Sequence, residues 1–218
     1  MTTVYQVHNS VKSNGNTKYG KVQFKEVYEA PDSPYATIGC RAMQNMGQSI
    51  RPHWPVDCAL ELVEKRRKPG DGVDDSPFLF FSSTAYQELQ NLIEPYGESF
   101  RVPLLKTTED AEDWVVYHPL RCLSVVNDPR CEIEWLDDDC PLYVTRFYFE
   151  EDKLGDLPIF MLEEDTSIFV TDIFFNRVRD VKLKGLGFRK LWNSELGSVH
   201  SEITIKISGL PEDEDFNW

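Results

Sequence analysis

Residues 159–192 read IFMLEEDTSIFVTDIFFNRVRDVKLKGLGFRKLW, and this stretch decides the fold. Ile168-Phe169-Val170 is β-branched and aromatic and follows a polar run from Glu163 to Ser167, which predicts a strand. Thr171 or Asp172 then caps a helix, because either side chain can accept from amide groups one turn further on. Ile173, Phe174, Val178 and Val181 fall on one helical stripe. Lys182 and Lys184 suit the negative end of the helix dipole, and Gly185 and Gly187 suit a left-handed stop. Phe188, Leu191 and Trp192 then return to the core as a second strand.

The same order occurs earlier. Phe78-Leu79-Phe80-Phe81 predicts a strand and Ser82-Ser83-Thr84 a cap cluster. Tyr86, Leu89, Leu92 and Ile93 form a helical stripe. Pro95 and Gly97 stop that helix, and Phe100, Val102, Leu104 and Leu105 form the returning strand. Two copies are too few for a solenoid. With strands outnumbering helices, the expected class is α+β: a mixed β-sheet with two similar strand–helix–strand units and flanking helices.

Outward from these units the periodicity is shorter. Val4 to Val7 and Val22 to Val27 alternate around Asn14-Gly15, which predicts a hairpin. Residues 30–52 give no period beyond a short strand at Ala36 to Cys40. Val56, Cys58, Leu60 and Leu62 alternate, which favours a strand, while Pro55 before Val56 instead suits a first helical turn. Trp114 to Tyr117 and Leu120 to Val126 are expected to pair with each other. Ile133, Trp135 and Leu136 lead to an acidic turn, and Tyr143 to Phe149 forms another strand. Ile203, Ile205 and Ile207 suggest a last strand before the acidic Glu212 to Asp215. The expected division is an N-terminal hairpin and arm over 1–53, an α+β domain over 54–192, and a C-terminal strand and tail over 193–218, packed as one compact domain.

The 218 residues are enough for a real core, and 41% hydrophobic with 28% charged residues describes a globular chain. The net charge of −14 argues against nucleic acid as a ligand, since phosphate binding needs a basic face. It suits a basic protein partner approached by electrostatic steering. Met1 to Ser10 lacks an apolar leader segment, and no run reaches the ~20 apolar residues of a membrane span. Five cysteines without a CxxC pair fit a reduced, cytoplasmic chain.

No GxGxxG, phosphate-binding loop or GxSxG is present, and no cofactor is expected. Cys122, Cys131 and Cys140 stand nine residues apart with His118 four before the first. Zinc sites use closer ligand pairs, so no metal is expected there. An enzyme would have to assemble its site from scattered residues such as His118, Cys122 and Asp128. Acidic clusters recur at predicted turns. Asp137, Asp138 and Asp139, and Glu163, Glu164 and Asp165, are the candidate partner-binding residues.

Five stretches in order carry a resemblance: PFLFFSS (77–83), FRVPLL (100–105), WVVYHPLRCLSVVND (114–128), YVTRFYFEEDKLGDLPIFMLEEDTSIFVTDIFFNRVRD (143–180) and KGLGFRKLW (184–192). Together they resemble the immunity protein eleven family of bacterial polymorphic-toxin systems, over roughly Trp54 to Trp192. The resemblance implies a non-enzymatic protein that binds and neutralises a cognate toxin effector domain. The alternative left open is a scaffold or regulatory binding module.

Overall fold

The computed structural model describes residues 1–10, 19–25, 41–43, 46–63, 67–105, 111–124, 129–137, 140–198 and 204–206. In chain order its strands begin with β1 (Thr3–Asn9), β2 (Val22–Phe24), β3 (Leu60–Leu62), β4 (Gly72–Asp75) and β5 (Phe78–Ser82). Helix α1 (Ser83–Ile93) leads to β6 (Gly97–Leu105), β7 (Ala111–Pro119), β8 (Cys122–Leu123), β9 (Glu132–Asp137) and β10 (Cys140–Arg146). A single helical turn, α2 (Glu151–Leu154), precedes β11 (Ile159–Leu162) and β12 (Asp165–Thr171). Helix α3 (Asp172–Asp180) is followed by β13 (Leu186–Asn193), β14 (Gly197–Ser198) and β15 (Thr204–Lys206).

The chain is mixed α and β, with strands predominating. They form two mixed sheets and a separate β9–β10 pair, where the sequence suggested one common sheet. The first sheet runs β2-β3-β6-β7-β5-β4, and the second runs β14-β13-β1-β12-β11-β8, with β15 also on β13. The division has a simple cause. A strand has only two edges, and those of β5 are taken by β7 and β4, those of β12 by β1 and β11. The crossover from β5 through α1 to β6 has β7 inserted antiparallel between its strands. The crossover from β12 through α3 to β13 has β1 inserted antiparallel between its strands.

This pairing also replaces the expected N-terminal hairpin. β1 pairs with β12 and β13, and β2 pairs with β3, while Asn14-Gly15 and the suggested strand at Ala36 to Cys40 lie outside the described residues. Similarly, Leu120 to Ser124 does not pair with Trp114 to Tyr117, because both edges of β7 are already filled by β5 and β6, and Val125 and Val126 lie outside the described residues. The backbone turns at Leu120, whose N–H reaches the Tyr96 carbonyl at 2.8 Å, and only Cys122–Leu123 becomes a strand, parallel to β11. Of the alternating run from Val56 to Leu62, only Leu60–Leu62 is a strand, and Val56 is fully exposed.

Continuous apolar runs become strands here because both faces are covered. Leu79 and Phe81 share one core with Val115, Tyr117, Ile168, Val170 and Phe188. Phe78 and Phe80 face a second core with Phe24, Phe100, Val102 and Trp114. The two longer helices put their buried residues into the first core, α1 through Ala85, Tyr86, Leu89 and Ile93, and α3 through Phe174 and Val178. Ile173, one of the expected stripe, lies about a third exposed, because it sits 100° round the helix from Phe174.

The caps divide their work. The Ser82 hydroxyl accepts from the Ala85 N–H at 3.3 Å, as a cap does. Thr171 caps α3 by position only, and its hydroxyl donates to the Leu157 carbonyl at 2.7 Å. Asp172 accepts from the Thr3 N–H at 3.0 Å, tying α3 to β1. The left-handed residues after α3 are Lys182 and Gly185, at φ 56° and 106°, while Gly187 is not among them. Gly185 also has to lack a β-carbon, which would collide with the Gly72 carbonyl oxygen.

That contact belongs to a seam between the sheets. Asp71 and Gly72 donate to the Lys184 carbonyl at 2.7 and 3.0 Å, and Ser10 donates to Gly185 at 2.7 Å. The Asn9 side chain donates to the Asp74 carbonyl at 2.7 Å and accepts from the Asp74 N–H at 3.0 Å, so an amide stands in for a strand neighbour. Burial pushes the Asp74 and Asp75 carboxyls up to about 6, with the Lys21 charge partly opposing this at Asp75.

Two stability measurements follow. Phe174 is fully buried, so Phe174→Ala should cost about 3–5 kcal/mol in denaturant unfolding. A change of a few tenths would place the helix on the wrong face. Asp75 titrates near 6 in the fold and near ~3.9 when unfolded. The folded state therefore holds the proton more tightly, and the charged form weakens the fold above about pH 6. Asp75→Asn should be more stable than wild type by about 1–3 kcal/mol at pH 7, and the gain should vanish by about pH 4. A gain that grows on acidification would reverse the assigned sign.

Candidate functional site

The outer face of the second sheet carries a third layer. Phe147 and Phe149 point inward onto Phe169, Phe160 and Trp192, with Leu154, Leu162 and Leu191 completing that core. The expected strand over Tyr143 to Phe149 therefore keeps its ladder only as far as Arg146. Beyond that point Cys131 holds the backbone. The Tyr148 N–H donates to its sulfur at 3.3 Å, and the thiol donates to the Tyr148 carbonyl at 3.6 Å.

Tyr148, half-buried between the two phenylalanines, packs edge-on to Trp192 at 5.9 Å, and the Arg130 guanidinium stacks 3.2 Å from its ring centroid. This stack divides two clefts of ≈ 420 and ≈ 470 Å³ that share Pro129, Arg130 and Tyr148. The first has an apolar floor of Leu123, Phe149 and Leu154 and a polar rim of Ser124, Glu150 and Lys153. The second is bounded by Glu132, Arg146, Leu196 and Ser198. The rim charges are paired, Lys153 with Glu150 at 3.1 Å and Arg146 with Glu132 at 2.6 Å. Such exposed pairs contribute little to stability, so a partner can exchange them at small cost.

One of the candidate acidic turns lies beside the first cleft. Glu163 and Glu164 form the turn between β11 and β12, and Ser124 on the rim donates to Glu164 at 2.5 Å. Asp165 opens β12 and accepts from the Ser167 N–H at 2.8 Å. Asp137 ends β9, and Asp138 and Asp139 lie outside the described residues. Sequence reasoning did not single out Arg130 or Tyr148. The alternation Phe147-Tyr148-Phe149 held the signal for the tyrosine. Nothing local marked the arginine, whose role depends on where the loop before β9 lands.

The scattered residues considered for catalysis do not come together. His118 is fully buried on the Phe78 side of the first sheet, 5.4 Å from that ring, and burial lowers its pKa. Cys122 packs against the core on the other face of that sheet, and Asp128 lies outside the described residues. Burial, reinforced by Glu163 and Glu164, pushes the Cys122 thiol up to about 12. It is therefore held as a thiol, the wrong form for a nucleophile. Among the described residues no cluster of three or more histidine, cysteine, aspartate or glutamate side chains is placed to hold a metal. Cys131, one of the three evenly spaced cysteines, is engaged with Tyr148. Among the described residues no helix is long and apolar enough to cross a membrane.

Residues 127–193 match the model of an immunity protein family, Imm11. The match agrees with the family resemblance in the sequence, over its C-terminal part. The Imm11 segment contains β9 to β13, and with them Arg130, Tyr148 and the Glu163–Asp165 turn. The face with the two clefts is thus made chiefly from Imm11-matched residues, while β8 and β14 border it from outside the match. No curated protein matches the chain.

The thiol assignment can be read directly. With a pKa near 12, alkylation of Cys122 by iodoacetamide in the folded chain should be very slow at pH 8 and rise about tenfold per pH unit up to pH 10. Peptide mass spectrometry measures the rate. A rate that levels off by pH 9 would mean an ordinary thiol.

Proposed function

We propose that this chain is an immunity protein that binds a cognate bacterial toxin effector domain and neutralises it by occlusion, without chemistry of its own. The observation that carries this reading is the Imm11 match over residues 127–193. The net charge of −14 supports it, since it suits a toxin domain with a basic cleft, encountered in the cytoplasm. Asp137, Asp138, Asp139, Glu163, Glu164 and Asp165 belong in this reading to the face presented to the toxin. Two observations support this for the second cluster: its position beside a cleft and the bond from Ser124 to Glu164. The reading extends to the architecture, in which the two strand–helix–strand stretches are similar units. Their support is the strand inserted antiparallel into each crossover, β7 in one and β1 in the other.

The reading expects a toxin domain in the neighbouring reading frame, and the test is co-expression with that domain, followed by binding of the purified pair. Wild type should protect cells and bind at nanomolar concentration or tighter. Replacing Glu163, Glu164 and Asp165 with serine should slow association by roughly three- to tenfold at low salt. The difference should shrink at physiological ionic strength, where exposed charges are screened over ~8 Å. The Asp137, Asp138 and Asp139 triple variant is measured alongside. Unchanged association in both variants, with protection retained, would take these turns out of the interface.

A further inference from the structure

We propose that the toxin domain is held by adding an extended segment to the open edge of β8, with one of its side chains seated in the first cleft. This rests on the immunity reading and names its contact. β8 pairs in parallel with β11, Cys122 opposite Met161 and Leu123 opposite Leu162. The Arg121 carbonyl accepts from the Met161 N–H at 2.8 Å, and the Leu123 carbonyl accepts from the Glu163 N–H at 3.0 Å. Alternate residues of a strand direct their backbone groups to opposite sides. The N–H and C=O of Cys122 therefore point away from β11. Among the described residues neither has a hydrogen-bond partner.

The first cleft adjoins this strand. The Leu123 side chain packs with the outer core and the Cys122 side chain with the inner one, so they stand on opposite faces of the sheet. Cys122, Leu123 and Ser124 all line the cleft, and the other edge of β8 is occupied by β11. Open edges template strand addition, and a partner strand gains specificity from pockets for its alternate side chains. β8 offers the backbone groups of one residue, which is too little to hold a partner alone. The adjoining cleft supplies the rest, with its apolar floor of Leu123, Phe149 and Leu154.

The edge also specifies charge. The Glu163 N–H donates to the Leu123 carbonyl and Glu164 accepts from Ser124, so two acidic residues stand beside the end of β8. The cations of the cleft stand on its other wall, Lys153 held by Glu150 and Arg130 stacked on Tyr148. The fitting occupant is thus an extended segment of the toxin domain with an apolar residue flanked by lysine or arginine.

Amide exchange tests this in the wild-type chain, free and bound to that toxin domain. The Cys122 amide should exchange at least tenfold more slowly in the complex. Cys122→Pro deletes the outward N–H and leaves the bonds of Leu123 to β11, as proline does at strand edges. It should weaken toxin binding at least tenfold while circular dichroism keeps the wild-type strand content. If this variant does not fold, the exchange result alone decides. Unchanged exchange at Cys122 in a complex that forms, or binding by a folded Cys122→Pro within threefold of wild type, would overturn the edge contact and leave the immunity reading standing. A wild-type chain that neither binds the toxin domain nor protects against it would overturn both.

Discussion

The second sheet depends on one insertion. β1 lies between β12 and β13, antiparallel to each, and supplies the hydrogen bonds that two parallel strands of one crossover cannot give each other at that separation. Its side chains alternate between two cores, Tyr5 and Val7 on the inner side and Val4 on the outer. Thr3 adds a bond to Asp172 at the start of α3, and the Asn193 amide donates to the Thr3 hydroxyl at 3.0 Å. Asn9 at the other end reaches β4 in the first sheet. A strand of seven residues thereby joins both sheets, α3 and two of the three cores. Without it, β12 and β13 would each carry an unpaired edge inside the protein, where unsatisfied backbone groups are costly.

The outer layer follows from the same sheet. Because β1, β11, β12 and β13 present apolar residues on both faces, the outer face needs its own cover. Phe147, Phe149 and Leu154 provide it. This cover is narrower than the sheet, and the two clefts open along its flanks, one beside β8 and one beside β14. Tyr148 and Arg130 stand on the ridge between them, residue types enriched where protein interfaces concentrate binding energy. A surface for a partner arises here from the geometry of a partly covered sheet.

Charge is arranged to suit such a surface. Among the described residues, two histidines and two aspartates drawn into the fold are pushed toward their neutral forms. Burial lowers the pKa of His8 and His118 and raises those of Asp74 and Asp75 to about 6. The net charge of −14 therefore resides mainly on turns and exposed faces, where it acts on an approaching partner over distance.

The sequence by itself determined the local elements. The stripes from Tyr86 to Ile93 and from Phe174 to Val178 specified helices, Ser82 specified a cap, and the runs at Phe78–Phe81 and Ile168–Val170 specified strands. It also carried the family match and the acidic turn at Glu163 to Asp165. Strand order was decided only in three dimensions. Backbone hydrogen bonds are the same for every residue, so nothing in the letters of Val4 to Val7 names β12 and β13, more than 150 positions away, as their neighbours. The candidate site shares that dependence. Ser124, Arg130, Tyr148 and Glu164 meet because β8 pairs with β11 and the outer layer folds over the sheet, and these are consequences of filled strand edges and covered apolar faces rather than of any local pattern.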